Sequence, residues 1–207
     1  MEKKELDIRE KIVAGAAELF MRFGVRSVTM DEVARELGMS KKTLYQSFSN
    51  KDELVVEVSK LHIQMEREQF EEVEKSASDA IDELYRITSC LRKMMQGLNP
   101  SLLFDLQKYH PDAWQMFLNF KHDFIKTAVA RNVKNGIDEG NYRKEINPEV
   151  MARMRMEQVQ TVFDPKVFPS QEFDLVEVQL QVLDHFIHGL LSDQGKIKFK
   201  EYQLKQS

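Results

Sequence analysis

The residues of this chain best suited to chemistry sit close together in Ser40-Lys41-Lys42-Thr43-Leu44-Tyr45-Gln46, with Lys51 just beyond. Lysines, hydroxyls, a phenol and a primary amide are the groups that meet a phosphate backbone and base edges. Lysine also reads guanine, and a glutamine amide reads adenine through a paired donor and acceptor. From Gly38 to Lys51 there are three lysines and no acid. The partner that this set fits is double-stranded DNA. Tyr45 and Lys51 are expected at phosphates, with Thr29 and Ser40 adding helix-end contacts. Lys42, Thr43 and Gln46 are expected at base edges, and Lys41 at either.

Two short helices must hold that set. Thr29 and Glu32 have capping-box spacing at the start of the first. Val33, Ala34 and Leu37 then recur at helical period. Gly38 supplies a residue that tolerates a left-handed turn, and Met39 is expected to plug it. Ser40 is the next N-cap candidate. In the second helix Leu44 and Phe48, four apart, face inward and leave the polar set outward. This is helix-turn-helix spacing, in which the second helix enters a major groove. A solvated helical hairpin shares the glycine turn. It has no need for cap, turn, inward pair and acid-free face to agree.

The stretch from Gly24 to Leu54 resembles the N-terminal domain of TetR-family transcriptional regulators. The resemblance is carried by Gly24-Val25-Arg26-Ser27-Val28-Thr29-Met30, the Val33-Ala34 pair, the turn glycine, and Thr43-Leu44-Tyr45-x-x-Phe48-x-x-Lys51-x-x-Leu54. It covers about a quarter of the chain. Further on, Gly136-Ile137-Asp138-Glu139-Gly140-Asn141-Tyr142-Arg143 and Ile146-Asn147-Pro148-Glu149 resemble phrases of TetR-family C-terminal domains. The resemblance implies a homodimer on a palindromic operator and a small-molecule effector bound in C-terminal helices.

No other constellation competes. His185 and His188 are three apart beside Asp184, a spacing that can hold a metal on a helix. No third ligand lies at readable spacing, and such pairs are more often surface residues. Glycine-rich phosphate loops, nucleophile elbows and Cys-x-x-Cys motifs are absent. The chain is therefore expected to be no enzyme, with no metal and no cofactor. Cys90 is the only cysteine, so no disulfide forms within the chain, which fits a reducing cytoplasm. The charged N-terminus is no signal peptide, and no 18-residue apolar run predicts a membrane span. The expected location is cytoplasmic and nucleoid-associated.

At 207 residues, 42% hydrophobic and 31% charged, the chain is long enough for a good core. Its net charge of −4 argues at first against nucleic acid. Residues 1–51 carry 10 basic and 8 acidic groups, a net of +2, and residues 52–207 carry −6. The basic surface is local.

Eight glycines and five prolines leave turn signals far apart. An all-α fold of about nine helices follows. A three-helix domain, 1–65 with its motif at 29–48, precedes a helical effector-binding and dimerisation domain, 66–207. Helices are expected over 7–23, 51–75, 79–97, from Pro100 to His110, 112–139, 148–163 and 172–193. Residues 1–6 should be frayed, Ser170 should cap the last helix, and the tail from Asp193 should be polar and partly ordered through Ile197 and Phe199. Ile8, Ile12, Ala16, Leu19, Phe20 and Phe23 form the apolar stripe of the first helix. Leu54, Val55, Val58, Leu61 and Met65 form that of the fourth.

Met94, Leu98, Phe104, Tyr109, Trp114, Phe117, Phe120, His122, Phe124, Met154 and Gln158 are the candidate effector-pocket residues. Most such apolar groups also serve as core. With no obvious buried charge among them, the effector is expected to be apolar or aromatic. Leu180, Leu183, Ile187 and Leu191 lie on one stripe of the last helix and are expected at the dimer interface. The function expected is a homodimeric repressor released from its operator by the effector. The alternative is a DNA-bound activator or a chromosome-organising, partner-binding protein of the same fold.

Overall fold

The structure is a computed structural model, which describes residues 2–95, 99, 101–164, 166–169 and 171–205. It is all-α. The helices are α1 (Glu2–Phe23), α2 (Met30–Glu36), α3 (Lys41–Ser47), α4 (Lys51–Ser76), α5 (Ala80–Met95) and α6 (Leu102–Tyr109). After them come α7 (Pro111–Phe120), a π-helical turn (Lys121–Ile125), α8 (Lys126–Asp138), α9 (Pro148–Val162), α10 (Leu175–Leu190) and α11 (Asp193–Lys205). No strand occurs among the described residues; a single antiparallel bridge joins Tyr142 and Leu191.

The chain divides into two compact units. One is Met1–Glu66 with Gly97–Leu118, and the other is Arg67–Gln96 with Asn119–Ser207.

The first unit is built on Ile12, Ala16 and Phe20 of α1. Val33 and Ala34 of α2, Leu44 of α3, Phe48 and Leu54 of α4 close around them, each no more than 2% exposed. Ala113 joins this core, and Leu102 and Leu106 pack on it. Helix α1 starts at Glu2, earlier than the polar start suggested, because nothing in Glu2–Leu6 breaks a helix. Phe23 leaves the expected stripe and is 46% exposed. Gly24, at φ +82°, turns the chain there, and Val25 and Val28 take the core places instead. Met65 is also exposed, where the charged end of α4 begins.

The second unit packs Ile81 of α5, Val133 of α8, Tyr142 and four apolar residues of α10 into one core. Leu191 and Phe199 complete it. Phe199 belongs to α11, so the tail is a full helix and not a partly ordered end. Tyr85 of α5 meets Phe199 edge-on at 6.2 Å and stacks on Tyr202 at 6.3 Å. Lys198 pairs with Asp79 at 2.7 Å. Long-range partners order this polar segment, and local sequence carries no sign of them. Helix α11 brings the count to ten helical rods among the described residues, taking α7, the π turn and α8 as one. The cap of α10 is Asp174, whose Oδ1 accepts from Val176 N at 2.9 Å. Ser170 and Pro100, expected at helix starts, lie outside the described residues.

Gly136 marks a close approach. A Cβ there would come within 2.2 Å of the Tyr142 ring. That ring cannot retreat: it is 2% exposed, and its hydroxyl donates to the Ala80 carbonyl at 3.1 Å. Gly136→Ala should therefore cost about 1–3 kcal/mol by overpacking. A urea melt checks this; a midpoint equal to wild type would mean that the ring has room to move.

Candidate nucleic-acid interface

The helix pair forms as its local chemistry requires. Thr29 N donates to Glu32 Oε2 at 2.7 Å, and Glu32 N donates to Thr29 Oγ1 at 3.2 Å. That reciprocal capping box starts α2. Gly38, at φ +62°, makes the turn. Ser40 Oγ accepts from Thr43 N at 3.1 Å and starts α3. Met39 is half-buried, a partial plug. With Leu44 and Phe48 fully buried, the opposite side of α3 must face outward.

That outward side carries Lys41, Lys42, Tyr45 and Gln46, all exposed. Lys42, Tyr45 and Gln46 have no hydrogen bond or ion pair among the described residues. Lys41 pairs with Asp31 at 2.5 Å, but both groups are more than half exposed. Such a pair is worth ~0–1 kcal/mol, so a phosphate can take the lysine at little cost. Thr43 is half-buried, with its hydroxyl 2.8 Å from Ser40 Oγ.

Two predicted contact residues are placed differently. The Thr29 amide and hydroxyl are both taken by Glu32. Those hydrogen bonds, the backbone one foremost, hold the Glu32 carboxyl below its usual pKa, so the α2 end already has an anion. Lys51 is half-buried and donates to the Arg26 carbonyl at 3.5 Å. Desolvation lowers its pKa, against the raising effect of Asp105, Asp52 and Glu32.

The segment 97–118 packs within this same unit, which no sequence signal announced. Asn99 N donates to the Met21 carbonyl at 2.9 Å. Arg26 N donates to Asp105 Oδ2 at 3.4 Å. His110 Nδ1 donates to Asp52 Oδ1 at 2.7 Å, with His110 buried. These bonds join α6 and its ends to the end of α1, to the turn at Arg26 and to the start of α4 beside Lys51. The partners stand 58 to 79 residues apart. Only the fold brings them together.

A family profile described as bacterial regulatory proteins of the TetR family matches residues 12–58. An uncharacterized HTH-type transcriptional regulator of Bacillus subtilis strain 168, YvaF, is 30% identical over 194 residues, covering 89% of this chain and 96% of its own. The chain belongs to the TetR family. It is a transcriptional regulator with a DNA-binding helix-turn-helix. Among solved structures, a transcriptional regulator of Saccharomonospora viridis in complex with choline matches at TM-score 0.72 and 18% identity, over 90% of this chain and 98% of its own. The SmeT–triclosan complex matches at TM-score 0.61 and 19% identity, over 90% and 93%. At those identities the likeness is one of fold.

The predicted effector residues are not brought to one place. Phe104, Tyr109, Trp114 and Phe117 belong to the first unit. Phe104 and Tyr109 are exposed, with Lys108 over both rings. Trp114 and Phe117 stack at 5.3 Å. In the second unit Phe120 is buried and stacks on Phe124 at 5.4 Å, under the Arg67 guanidinium. His122 is exposed, Met94 is half-buried, and Leu98 lies outside the described residues. Met154 and Gln158 do meet. They line a groove of about 440 Å³ between α9 and α10 with Glu157, Thr161, Val162, Phe168, Gln181, Val182 and His185.

Of the predicted interface residues, Leu183, Ile187 and Leu191 are at most 5% exposed inside the second unit's own core, and Leu180 is half-buried. The stripe is therefore inward, and the other side of α10 carries the groove. His185 and His188 are exposed, and His188 Nδ1 is held by the Asp184 carbonyl at 2.9 Å. Among the described residues no group of three His, Cys, Asp or Glu could hold a metal, and no helix is long and apolar enough to cross a membrane.

Proposed function

We propose that this regulator is a homodimeric repressor that occupies a palindromic operator and leaves it when a small molecule binds its second unit. The observation that carries the reading is the outward face of α3, where Lys42, Tyr45 and Gln46 stand exposed beside the capped helix start at Ser40. Lys42, Thr43 and Gln46 reach base edges; Tyr45 and Ser40 reach phosphates, with Lys41 free to serve either. Thr29 and Lys51 act by holding α2 and α4 in register, Thr29 through its capping box and Lys51 through the Arg26 carbonyl.

So few charges on one copy bind weakly at physiological salt, so two copies are needed. A two-fold dimer places the recognition helices about 34–36 Å apart or a multiple of that. The second copy packs on the outward sides of α9 and α10, where Met154, Val182 and the exposed Val150 supply apolar surface. The protein acts on the chromosome in the cytoplasm.

The test is a shift assay on the DNA upstream of the protein's own gene. The expected result is one retarded species with a two-fold footprint, and a dimer by light scattering. Binding that is indifferent to sequence sinks the operator. A monomer on DNA sinks the two-half-site scheme.

A further inference from the structure

Three exposed aromatic rings of the first unit each lie against a cation. The Arg22 guanidinium is 5.0 Å from the centre of the Phe23 ring. Lys108 Nζ on α6 is 5.4 Å from the centre of Phe104 and 5.2 Å from that of Tyr109. The Arg26 guanidinium is 5.4 Å from the same Tyr109 ring. Two like charges therefore share one exposed ring. Arg26 and Lys108 are themselves exposed, and the only partners of their charged groups among the described residues are rings. The face of a ring holds a cation in place without neutralising it. Three acids border this patch. Asp105 is buried and accepts from Arg26 N and the Ser101 hydroxyl. Asp52 is bonded to His110, and Asp112 is exposed at the start of α7. None of them pairs with Arg26 Cζ or Lys108 Nζ.

The patch adjoins the helices that frame α3. Arg26 is three residues before Thr29, the cap of α2. Its carbonyl accepts from Lys51, the first residue of α4. His110, next to Tyr109, bonds Asp52, next to Lys51. Arg26 and the C-terminal end of α6 thus stand beside the start of α4, four residues after α3 ends.

We infer that Arg26 and Lys108, with Tyr109 between them, bind DNA phosphates outside the base pairs that α3 reads. The inference rests on α3 as the helix that meets the duplex. The cations of α3 alone are few: Lys51 is half-buried on the Arg26 carbonyl, which leaves Lys41 and Lys42 outward. A duplex lying on α3 keeps offering phosphates along its length. The Arg26 guanidinium is a fork that donates to two phosphate oxygens, and Lys108 acts as a point charge. The Tyr109 ring holds both cations from behind. Continuity with the helix-turn-helix favours DNA over an anionic lipid surface, which has the same phosphate chemistry.

Fluorescence anisotropy with the full chain tests this, on the footprinted operator and on unrelated duplexes. The double variant Arg26→Gln, Lys108→Gln should bind every sequence more weakly by the same factor and keep its preference for the operator. The slope of log K against log salt should fall by about 3–4 for a dimer, or about 2 for a single copy. Its Tm should match wild type, because both residues are exposed. Wild type on an operator with uncharged methylphosphonates beside each half-site should behave like the variant, and the variant should lose nothing further there. An unchanged slope overturns the inference. So does a lost sequence preference, which means that α3 has moved, or a slope difference that persists in full on the methylphosphonate duplex. Sedimentation with phosphatidylglycerol vesicles is the competing arm. Vesicle binding by wild type that the variant loses, with the DNA slope unchanged, assigns the patch to a membrane and overturns the inference. Wild type that binds all duplexes alike sinks the operator reading and not this one, because the salt slope is read on any sequence.

Discussion

Tyr45→Ala is expected to weaken specific operator binding by at least about 100-fold with no change in its salt dependence. The phenol is half exposed and has no hydrogen bond among the described residues, so its loss removes nothing from the fold. A surface change of that kind alters stability by roughly 0.5 kcal/mol or less. On DNA, a hydrogen bond to a charged phosphate is worth about 1.5–3 kcal/mol, and the dimer makes it twice. The group is neutral, so the number of counterions released is unchanged. Lys42→Ala is the contrast: it removes a cation at a base edge from each copy, so it should weaken binding, relax the sequence preference and lower the salt slope by up to about 2. Fluorescence anisotropy between low and high salt separates the two. Tight, specific binding by Tyr45→Ala would remove the phenol from the interface. A reduced salt slope for that variant would mean that the whole helix had shifted.

Glu66→Gln should stabilise the protein at alkaline pH and leave it unchanged in acid. The Glu66 side chain is 12% exposed on α4, with His62 Nε2 at 3.9 Å as its ion-pair candidate. Burial raises the carboxyl pKa from 4.5 to about 7. Burial also lowers the His62 pKa, so the imidazole stays neutral where Glu66 ionises and offers no compensating charge. The folded state thus holds the Glu66 proton more tightly than the unfolded chain does. The contribution of Glu66 to stability is greatest below pH 4.5, falls as pH rises from 4.5 to about 7, and carries its full cost above that. At 1.36 kcal/mol per pKa unit the cost is about 3 kcal/mol. Glutamine cannot ionise, so the variant should gain up to that amount at pH 8. The gain corresponds to a Tm rise on the order of 6–10 °C. Urea melts of both proteins at several pH values measure the difference, and His62 contributes to each alike. A difference that does not vary with pH would show that Glu66 stays ionised and paired throughout.

Most of the recognition unit could be read from the sequence because its determinants are local. Thr29 and Glu32 are three residues apart, as are Ser40 and Thr43, and Leu44 and Phe48 are four apart. Capping and helical facing act over such distances whatever surrounds them. The second unit was harder. The stripe Leu183-Ile187-Leu191 is apolar for its own core, and an apolar stripe looks the same whether its partner is the same chain or another. The aromatic residues from Phe104 to Phe124 were grouped by composition. Phe104 and Tyr109 lie on α6, and the rod that carries the others begins in one unit and ends in the other, so proximity in sequence gives them no common cavity.

By itself the sequence determined the all-α class, the helix-turn-helix, the side of α3 that faces outward and the family resemblance. These follow from periods and spacings within a single turn or two. Only the tertiary structure decided that residues 97–118 pack with the DNA-binding unit, that α11 is a helix, and that Lys121 and Arg155 are buried. It also turned Lys51 toward the Arg26 carbonyl. Burial and pairing depend on neighbours tens of residues away, and a charge on a helix carries no mark of whether water will reach it. The outward face of α3 is set by local rules; the groove between α9 and α10 exists only where separate helices meet.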